Sequence, residues 1–477
     1  MLNETKYTYN ELTPAIVEEL KQIVGEQYVI YNDEERLEQF SHDETPGEYV
    51  KMPAAAIRPR TAEEISAIMK LANRENIPVT PRGAGSGLSG GAVPLYGGLV
   101  LSVDRMNSIL EVDQENMMIV VEPGVVANDI NEHIAQFGLF YAGYPMSLET
   151  CFIGGNVAEN AGGGKAVKYG VTSRYVLGLE NVTPTGEIVE LGGKLVKDVT
   201  GYNMVQLMVG SEGTLGVFTK IILKLIPLPK IQADLLCLFK TSDEAISAVP
   251  KIMTEGGIIP TSIEFMDKHS VQAACEYLNE TLPYEDCGAM LLISVDGNDR
   301  DQIENEYITI GKFCQEAGAL EVYVADNPST SERIWKVRRN IAEAFSLIEK
   351  RQFNDDIVVP PSAIPAAIAS LEEIAAKYEV QIPCFGHAGD GNIHARTLCR
   401  KDWDDAKWAE MQPIILNDIY KTIRELGGRL SGEHGVGCKR KKYMTQVVSE
   451  EYINMLRAVK RAFDPNNILN PGKIFDV

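Results

Sequence analysis

The 477-residue chain has no apolar run near the ~20 residues that a membrane-spanning helix requires. Its polar N-terminus, MLNETKYTYNELTP, lacks the basic-then-apolar pattern of a signal peptide, so a cytoplasmic location is expected. Positive charge is scarce: 45 Lys and Arg stand against 67 Asp and Glu, a net −22. That excess repels phosphate backbones and anionic lipid surfaces, which argues against nucleic-acid binding and charge-driven membrane attachment. None of the eight cysteines, at 151, 237, 275, 287, 314, 384, 399 and 438, belongs to a Cys-x-x-Cys pair. A zinc ribbon or a cysteine-ligated iron–sulfur cluster therefore has no ligands here, and buried reduced thiols are expected instead of a disulfide framework. Repeats and low-complexity segments are also missing.

What is present fits two or three domains, at about 100–200 residues each. Residues 11–24 read as a short amphipathic helix, followed by the acidic stretch DEERLEQFSHDE. Ala54–Arg58 reads as a strand, and Thr61-x-x-Glu64 as the capping box of a helix with Ile65, Ile68, Met69 and Ala72 on one face. Ile77–Thr80 gives a second strand; Gly98–Val103 and Met117–Val121 add two more, with a helix expected over Val125–Phe137. KIILKLIPLPK ends in two prolines and reads as a strand leaving a domain. Beyond it, ADLLCLFK, AMLLISVDG and LEVYVAD alternate with helical patterns, which is an α+β arrangement.

The most pointed feature is PRGAGSGLSGG, residues 81–91. Gly85, Gly87 and Gly90 match G-x-G-x-x-G, but Gly91, Pro94, Gly97 and Gly98 follow too closely for a helix to open there. Successive backbone N–H groups can still cradle a phosphate without a helix, and Arg82 adds positive charge beside them. Residues 143–217 are similarly rich in Gly and Asn.

PRGAGSGLSGG, IGGNVAENAGG, KDVTGYN, GSEGTLG and the terminal NPGKIF, taken in order, resemble flavoproteins of the vanillyl-alcohol-oxidase type. The likeness runs from about residue 40 to the end and is closest to the glycolate oxidase/D-lactate dehydrogenase/D-2-hydroxyglutarate dehydrogenase branch. It implies an α+β fold: a two-part FAD-binding domain, an antiparallel-sheet substrate (cap) domain, and a C-terminal segment returning to the FAD domain. The boundaries expected are 1–40 for an N-terminal helical extension, 41–228 for the FAD-binding domain, 229–425 for the cap and 426–477 for the returning segment. By resemblance, the FAD pyrophosphate lies against Arg82, Gly83, Ala84, Gly85, Ser86 and Gly87. The rest of the cofactor is lined by Pro145, Thr150, Gly154, Gly155, Asn156, Asn160, Gly162 and Gly163, then Glu212, Gly213 and Val217, with Asn470 returning from the C-terminus. Covalent relatives carry a flavin-linking His in the glycine loop; Ser86 stands at that place, so noncovalent FAD is expected.

Only six histidines occur, and three fall in GHAGDGNIH (386–394) and GEHG (432–435), where glycine neighbours give them little packing purpose. Two imidazoles and a carboxylate suit a divalent metal with an open position, although no fixed finger spacing is present. The resemblance implies His387, His394 and Glu433 as ligands to one divalent metal (zinc, iron or manganese), His434 as general base and Asn392 as a substrate contact. Asp390 reads as a turn or supporting residue. SERIWKVRRNIAEAFSLIEK reads as one helix with Ile334, Arg338, Ile341 and Phe345 on a stripe and Arg339 pointing away. An arginine in an apolar stripe needs a partner: an internal carboxylate, or the carboxylate of a substrate. The resemblance supports Arg338 as the substrate clamp. Relatives acting on longer dicarboxylates place a Thr and a Lys where this chain has Ala342 and Asn354, which favours a small D-2-hydroxy acid, D-lactate before glycolate.

The expected reaction is hydride transfer from that acid to FAD, giving the 2-oxo acid. With no second redox centre in sight, electrons are expected to pass to an external acceptor such as an electron-transfer flavoprotein, an iron–sulfur subunit or a quinone. D-2-hydroxyglutarate dehydrogenase, an ether-lipid synthase on the same fold, and a noncatalytic flavin-binding subunit of a larger oxidase are the alternatives.

Overall fold

A computed structural model of the chain describes residues 7–45, 49–325 and 327–477. The first six residues of the expected extension, and Asp326 at the end of LEVYVAD, lie outside them. The chain divides into two compact units, 1–162 with 171–228 and 434–477, and 163–170 with 229–433.

In the first unit, α1 (Pro14–Val24) is capped by Thr13 and followed by β1 (Val29–Tyr31) and β2 (Ala55–Ile57). The helix α2 (Ala62–Glu75) opens as expected: the Thr61 hydroxyl accepts from the Glu64 N–H at 3.2 Å. It closes on left-handed Asn76 and buries Ile65, Ile68, Met69 and Ala72. Strands β3 (Val79–Arg82) and β4 (Leu99–Ser102) complete a sheet ordered β1-β2-β4-β3, whose last three strands run parallel. Because β1 pairs with β2 and Ile16, Val17 and Leu20 enter the same core as Ile65 and Ile68, the segment read as an extension is built into this unit. A side chain such as Ile68, fully buried there, would cost about 2–5 kcal/mol to truncate to alanine.

A second, antiparallel sheet follows, formed by β5 (Ile109–Asp113), β6 (Met118–Val121), β7 (Val176–Val182), β8 (Ile188–Gly192) and β9 (Val217–Lys224) in the order β5-β6-β9-β7-β8. Between β6 and β7 lie the helices Ala127–Ala135 and Ile153–Glu159. The C-terminal helix Glu450–Phe463 belongs to the same unit. Its buried Lys460 ammonium bonds Asp464 and the carbonyls of Thr214 and Leu469 at 2.6–2.8 Å, locking the tail in place.

The second unit is a seven-stranded, wholly antiparallel sheet. Its strands are β10 (Ile231–Phe239), β11 (Ser262–Asp267), β12 (Ala289–Gly297), β13 (Glu321–Ala325), β14 (Gln352–Val358), β15 (Cys384–His387) and β16 (Asn392–Leu398). They are ordered β13-β10-β12-β11-β15-β16-β14. The single helix expected over 331–350 is two, Pro328–Arg339 and Ile341–Ile348. Asn340, at φ −98° and ψ 5°, breaks it, its side chain donating to the Lys336 carbonyl at 2.8 Å. Asn competes with the helix for its own backbone in this way. The eight cysteines are free thiols, seven of them buried. Among the described residues no helix is long and apolar enough to cross a membrane.

Candidate active site

In the first unit the glycine loop runs from β3 into β4 with no helix between, as its glycines require. Residues 81–88 are half-buried, and no acceptor among the described residues takes the backbone N–H groups of 83–88. Six consecutive donors left open in this way form a ready anion cradle. Gly85 sits at φ +80°, and a β-carbon there would collide with the Arg82 guanidinium. Arg82 donates to the His42 carbonyl at 2.6 Å, and burial lowers its pKa. A β-carbon on Gly155 would meet nothing within 4 Å, so the backbone there faces open space. This cradle fits a pyrophosphate.

Several residues expected to line the cofactor also shape the backbone. Both oxygens of Glu212 accept 2.7 Å bonds from the Val436 and Gly437 N–H groups. Asn160, left-handed at φ 53°, accepts from Ser173 N, and Asn156 donates to the Cys151 sulfur. Val217 packs into the core, Thr150 is exposed, and Gly163 belongs to the other unit. Asn470 Nδ2 ties the Gly91 and Glu212 carbonyls together at 3.0 and 2.8 Å. Gly154 lies in the helix Ile153–Glu159, and Pro145, Gly162 and Gly213 lie in loops, Gly213 at φ +64°.

In the second unit, strand register assembles the polar cluster. His387 pairs across the β15–β16 hairpin with Asn392, two residues from His394, so all three share one face. Register also sets Glu264 of β11 opposite His387 and Asp356 of β14 opposite His394. Glu264 and Asp356 are fully buried. Sequence reasoning missed both; the available signal was an acidic residue inside otherwise strand-like runs, SIEFMD and NDDIVV.

Glu264 Oε1 lies 2.7 Å from His387 Nδ1. Burial alone would raise the Glu264 pKa, but Arg338 and His387 hold it below the ordinary value. An ionised carboxylate only accepts, so Nδ1 carries the proton and Nε2 points the other way, 3.4 Å from Glu433 Oε1. His394 Nε2 is also 3.4 Å from that oxygen. Donors around a tetrahedral cation with bonds of about 2.1 Å stand about 3.4 Å apart, so His387, His394 and Glu433 could hold one. Asp356, which with His394 and Glu433 is among residues offering donor atoms within 4.8 Å of one another, is another candidate ligand. Its Oδ2, however, accepts from Ser431 Oγ and the Gly432 and Glu433 N–H groups, which fixes the turn carrying Glu433. Burial opposes charge on His387, yet Glu264 and Glu433 raise its pKa well above the ordinary value; burial likewise opposes charge on Glu433, which His387 and His394 hold well below. Burial, helped by Glu433 and Glu264, pushes Asp390 up to about 6; its carboxylate accepts from Asn392 N at 3.3 Å, a turn contact.

Arg338 has taken the internal carboxylate of its two possible partners: Nε and Nη2 lie 2.7 and 2.6 Å from Glu264 Oε2. Asn392 Nδ2 donates to Asp356 and the Ile357 carbonyl, while its buried Oδ1 has no partner. His434 follows Glu433 directly in the chain and begins the returning segment of the first unit.

A parallel–antiparallel pair of sheets with a helix-free glycine cradle, followed by a seven-stranded antiparallel unit, defines a two-domain flavoprotein of the vanillyl-alcohol-oxidase/p-cresol-methylhydroxylase type. The solved p-cresol methylhydroxylase superposes with a TM-score of 0.80 at 17% identity, covering 97% of this chain and 96% of that one. An alkyldihydroxyacetonephosphate synthase gives 0.74 at 19%, covering 99% and 88%. Residues 53–192 match the FAD binding domain, and 228–474 match the C-terminal domain of FAD linked oxidases. The glycolate oxidase subunit GlcD of Bacillus subtilis is 39% identical over 97% of both chains. The D-lactate dehydrogenase of Anaerostipes hadrus is 37% identical, covering 98% of this chain and 99% of that one. The D-2-hydroxyglutarate dehydrogenase of Stutzerimonas stutzeri is 30% identical over 97% and 99%. The chain belongs to the FAD-linked oxidoreductases of the glycolate oxidase/D-lactate dehydrogenase/D-2-hydroxyglutarate dehydrogenase group.

Proposed function

We propose that the protein oxidises a small D-2-hydroxy acid, D-lactate first and glycolate next, to the 2-oxo acid. The observation that carries this reading is the imidazole pair His387 and His394 facing one Glu433 oxygen, in a chain 37–39% identical to a D-lactate dehydrogenase and a glycolate oxidase subunit. FAD, bound noncovalently on the open N–H groups of 83–88, supplies the hydride acceptor at N5. A zinc, iron or manganese ion would be held by Nε2 of His387 and His394 and by Glu433, and would supply Lewis acidity toward the substrate hydroxyl. Glu264 keeps the His387 proton on Nδ1, and Asp356 holds the turn from which Glu433 projects. Asn392 Oδ1, buried and unpartnered, offers an acceptor to the bound acid. His434 takes the hydroxyl proton, the general-base role an imidazole commonly fills. Arg338, tied to Glu264, orients the site.

Electrons leave to an external acceptor, an electron-transfer flavoprotein or iron–sulfur subunit; the "subunit" in the name of the Bacillus relative supports a protein partner. A cytoplasmic location fits this assignment. The test is anaerobic titration of the FAD-loaded protein with D-lactate, L-lactate, glycolate and D-2-hydroxyglutarate while following flavin absorbance. D-lactate should bleach the flavin at the lowest concentration. Bleaching by D-2-hydroxyglutarate alone would replace this reading with the dicarboxylate one.

A further inference from the structure

Arg396 is the second buried arginine of the polar layer in the second unit. It lies two residues beyond His394 on β16, opposite Asn354, and so faces the same way as His394 and Asn392. Only 4% of it is exposed. Unlike Arg338, it has no carboxylate within ion-pair distance among the described residues. Its Nη1 donates to the neutral Gln352 amide at 2.6 Å, and its buried Nε has no hydrogen-bond partner. The nearest charge felt electrostatically, Glu343, sits at an exposed position and does not reach it. A buried guanidinium with one neutral partner and an orphaned N–H is costly. Fold stability alone would favour an apolar side chain there.

We propose that Arg396 is a specificity-determining residue whose missing partner is the carboxylate of the 2-hydroxy acid. This rests on the reading of the site as a 2-hydroxy-acid site. The charges divide simply. Glu264 already neutralises Arg338, whereas Arg396 keeps one uncompensated positive charge, which a monocarboxylate would match. The guanidinium can offer Nε and an Nη as a fork to the two carboxylate oxygens, the geometry arginine favours.

The variant Arg396→Met separates this role from a structural one, because the two predict opposite changes in stability. In the FAD-loaded, substrate-free protein, Met removes an unpaired buried charge, so Tm should rise or hold. If the Gln352 bond were the purpose of Arg396, Tm should fall, and that would overturn the proposal. In the same preparations, the KM for D-lactate should rise at least 30-fold, with a smaller change in kcat, and Arg396→Lys should recover part of the loss. An unchanged KM for D-lactate would overturn the proposal, even if D-2-hydroxyglutarate kinetics changed. Calorimetric titration with pyruvate provides an arm that needs no turnover. Wild type should bind and Arg396→Met should bind at least tenfold more weakly; equal binding would overturn the assignment. If wild type binds pyruvate through Arg396 but no 2-hydroxy acid bleaches its flavin, the oxidation reading fails while the carboxylate site stands.

Discussion

Glu264 shows how much of this site depends on one side chain that is not expected to touch substrate. One oxygen fixes the tautomer of His387 and the other holds Arg338. Glu264→Gln would present an amide N–H or a weaker acceptor to Nδ1, so bound metal should fall. The expected loss is about 10–100-fold in affinity, measured by metal analysis after dialysis against graded chelator. Retention of wild-type affinity would separate Glu264 from the proposed metal site. Asp390 supplies a pH signature. Its folded pKa of about 6 lies above the ordinary carboxyl value, so its deprotonation opposes folding. The penalty is absent below the unfolded value near ~3.9 and complete above about 6. In chelator-treated protein, Asp390→Asn should therefore raise Tm at pH 7.5 and change it little at pH 3.5. Individual residues were the most legible level of the sequence. Two of the six histidines, in the glycine-flanked GHAGDGNIH, marked the cluster, while Glu264 and Asp356 stayed hidden because an acidic residue in a strand reveals its face only once its neighbours are known. Arg338 was legible as a buried arginine, but its partner, 74 positions away, was not.

Register decides the site at the scale of elements. His387, Asn392 and His394 share a face because the β15–β16 hairpin pairs His387 with Asn392, and a shift of one residue would turn His394 away. Gly432 lets the Glu433 turn approach that hairpin: a β-carbon there would collide with the Asn392 amide, itself held by Asp356 and Ile357. Gly432→Ala should cost about 1–3 kcal/mol in stability by overpacking. It should also weaken metal binding, which paired thermal melts and metal analysis would show; an unchanged melt with full metal content would contradict this account of the turn. Periodicity and capping signals located about half of the strands and several helices, including the Thr61-capped one. They missed the break at Asn340, because the apolar stripe continues through it and only the local Asn backbone bond interrupts the helix. Strand order was not legible, since pairing partners such as β11 and β15 are separated by more than a hundred residues.

For the whole molecule, the sequence indicated two parts and a returning tail, but not where the chain changes sides. Residues 163–170 belong with the second unit, where Lys168 and Tyr169 bond the buried Asp296 at 2.6 and 2.7 Å. The tail rejoins the first unit at His434, eight residues after the expected boundary. Divided this way, the candidate metal ligands lie in one unit, while the proposed base opens the returning segment of the other. The most direct test is anaerobic rapid mixing of the FAD-loaded protein with D-lactate: as isolated, after chelation, and after restoring manganese or zinc. Fast bleaching in a single turnover is expected, with loss of that phase on chelation while FAD stays bound, and recovery with metal. Bleaching at the full rate in the chelated protein would contradict the proposed role of the metal.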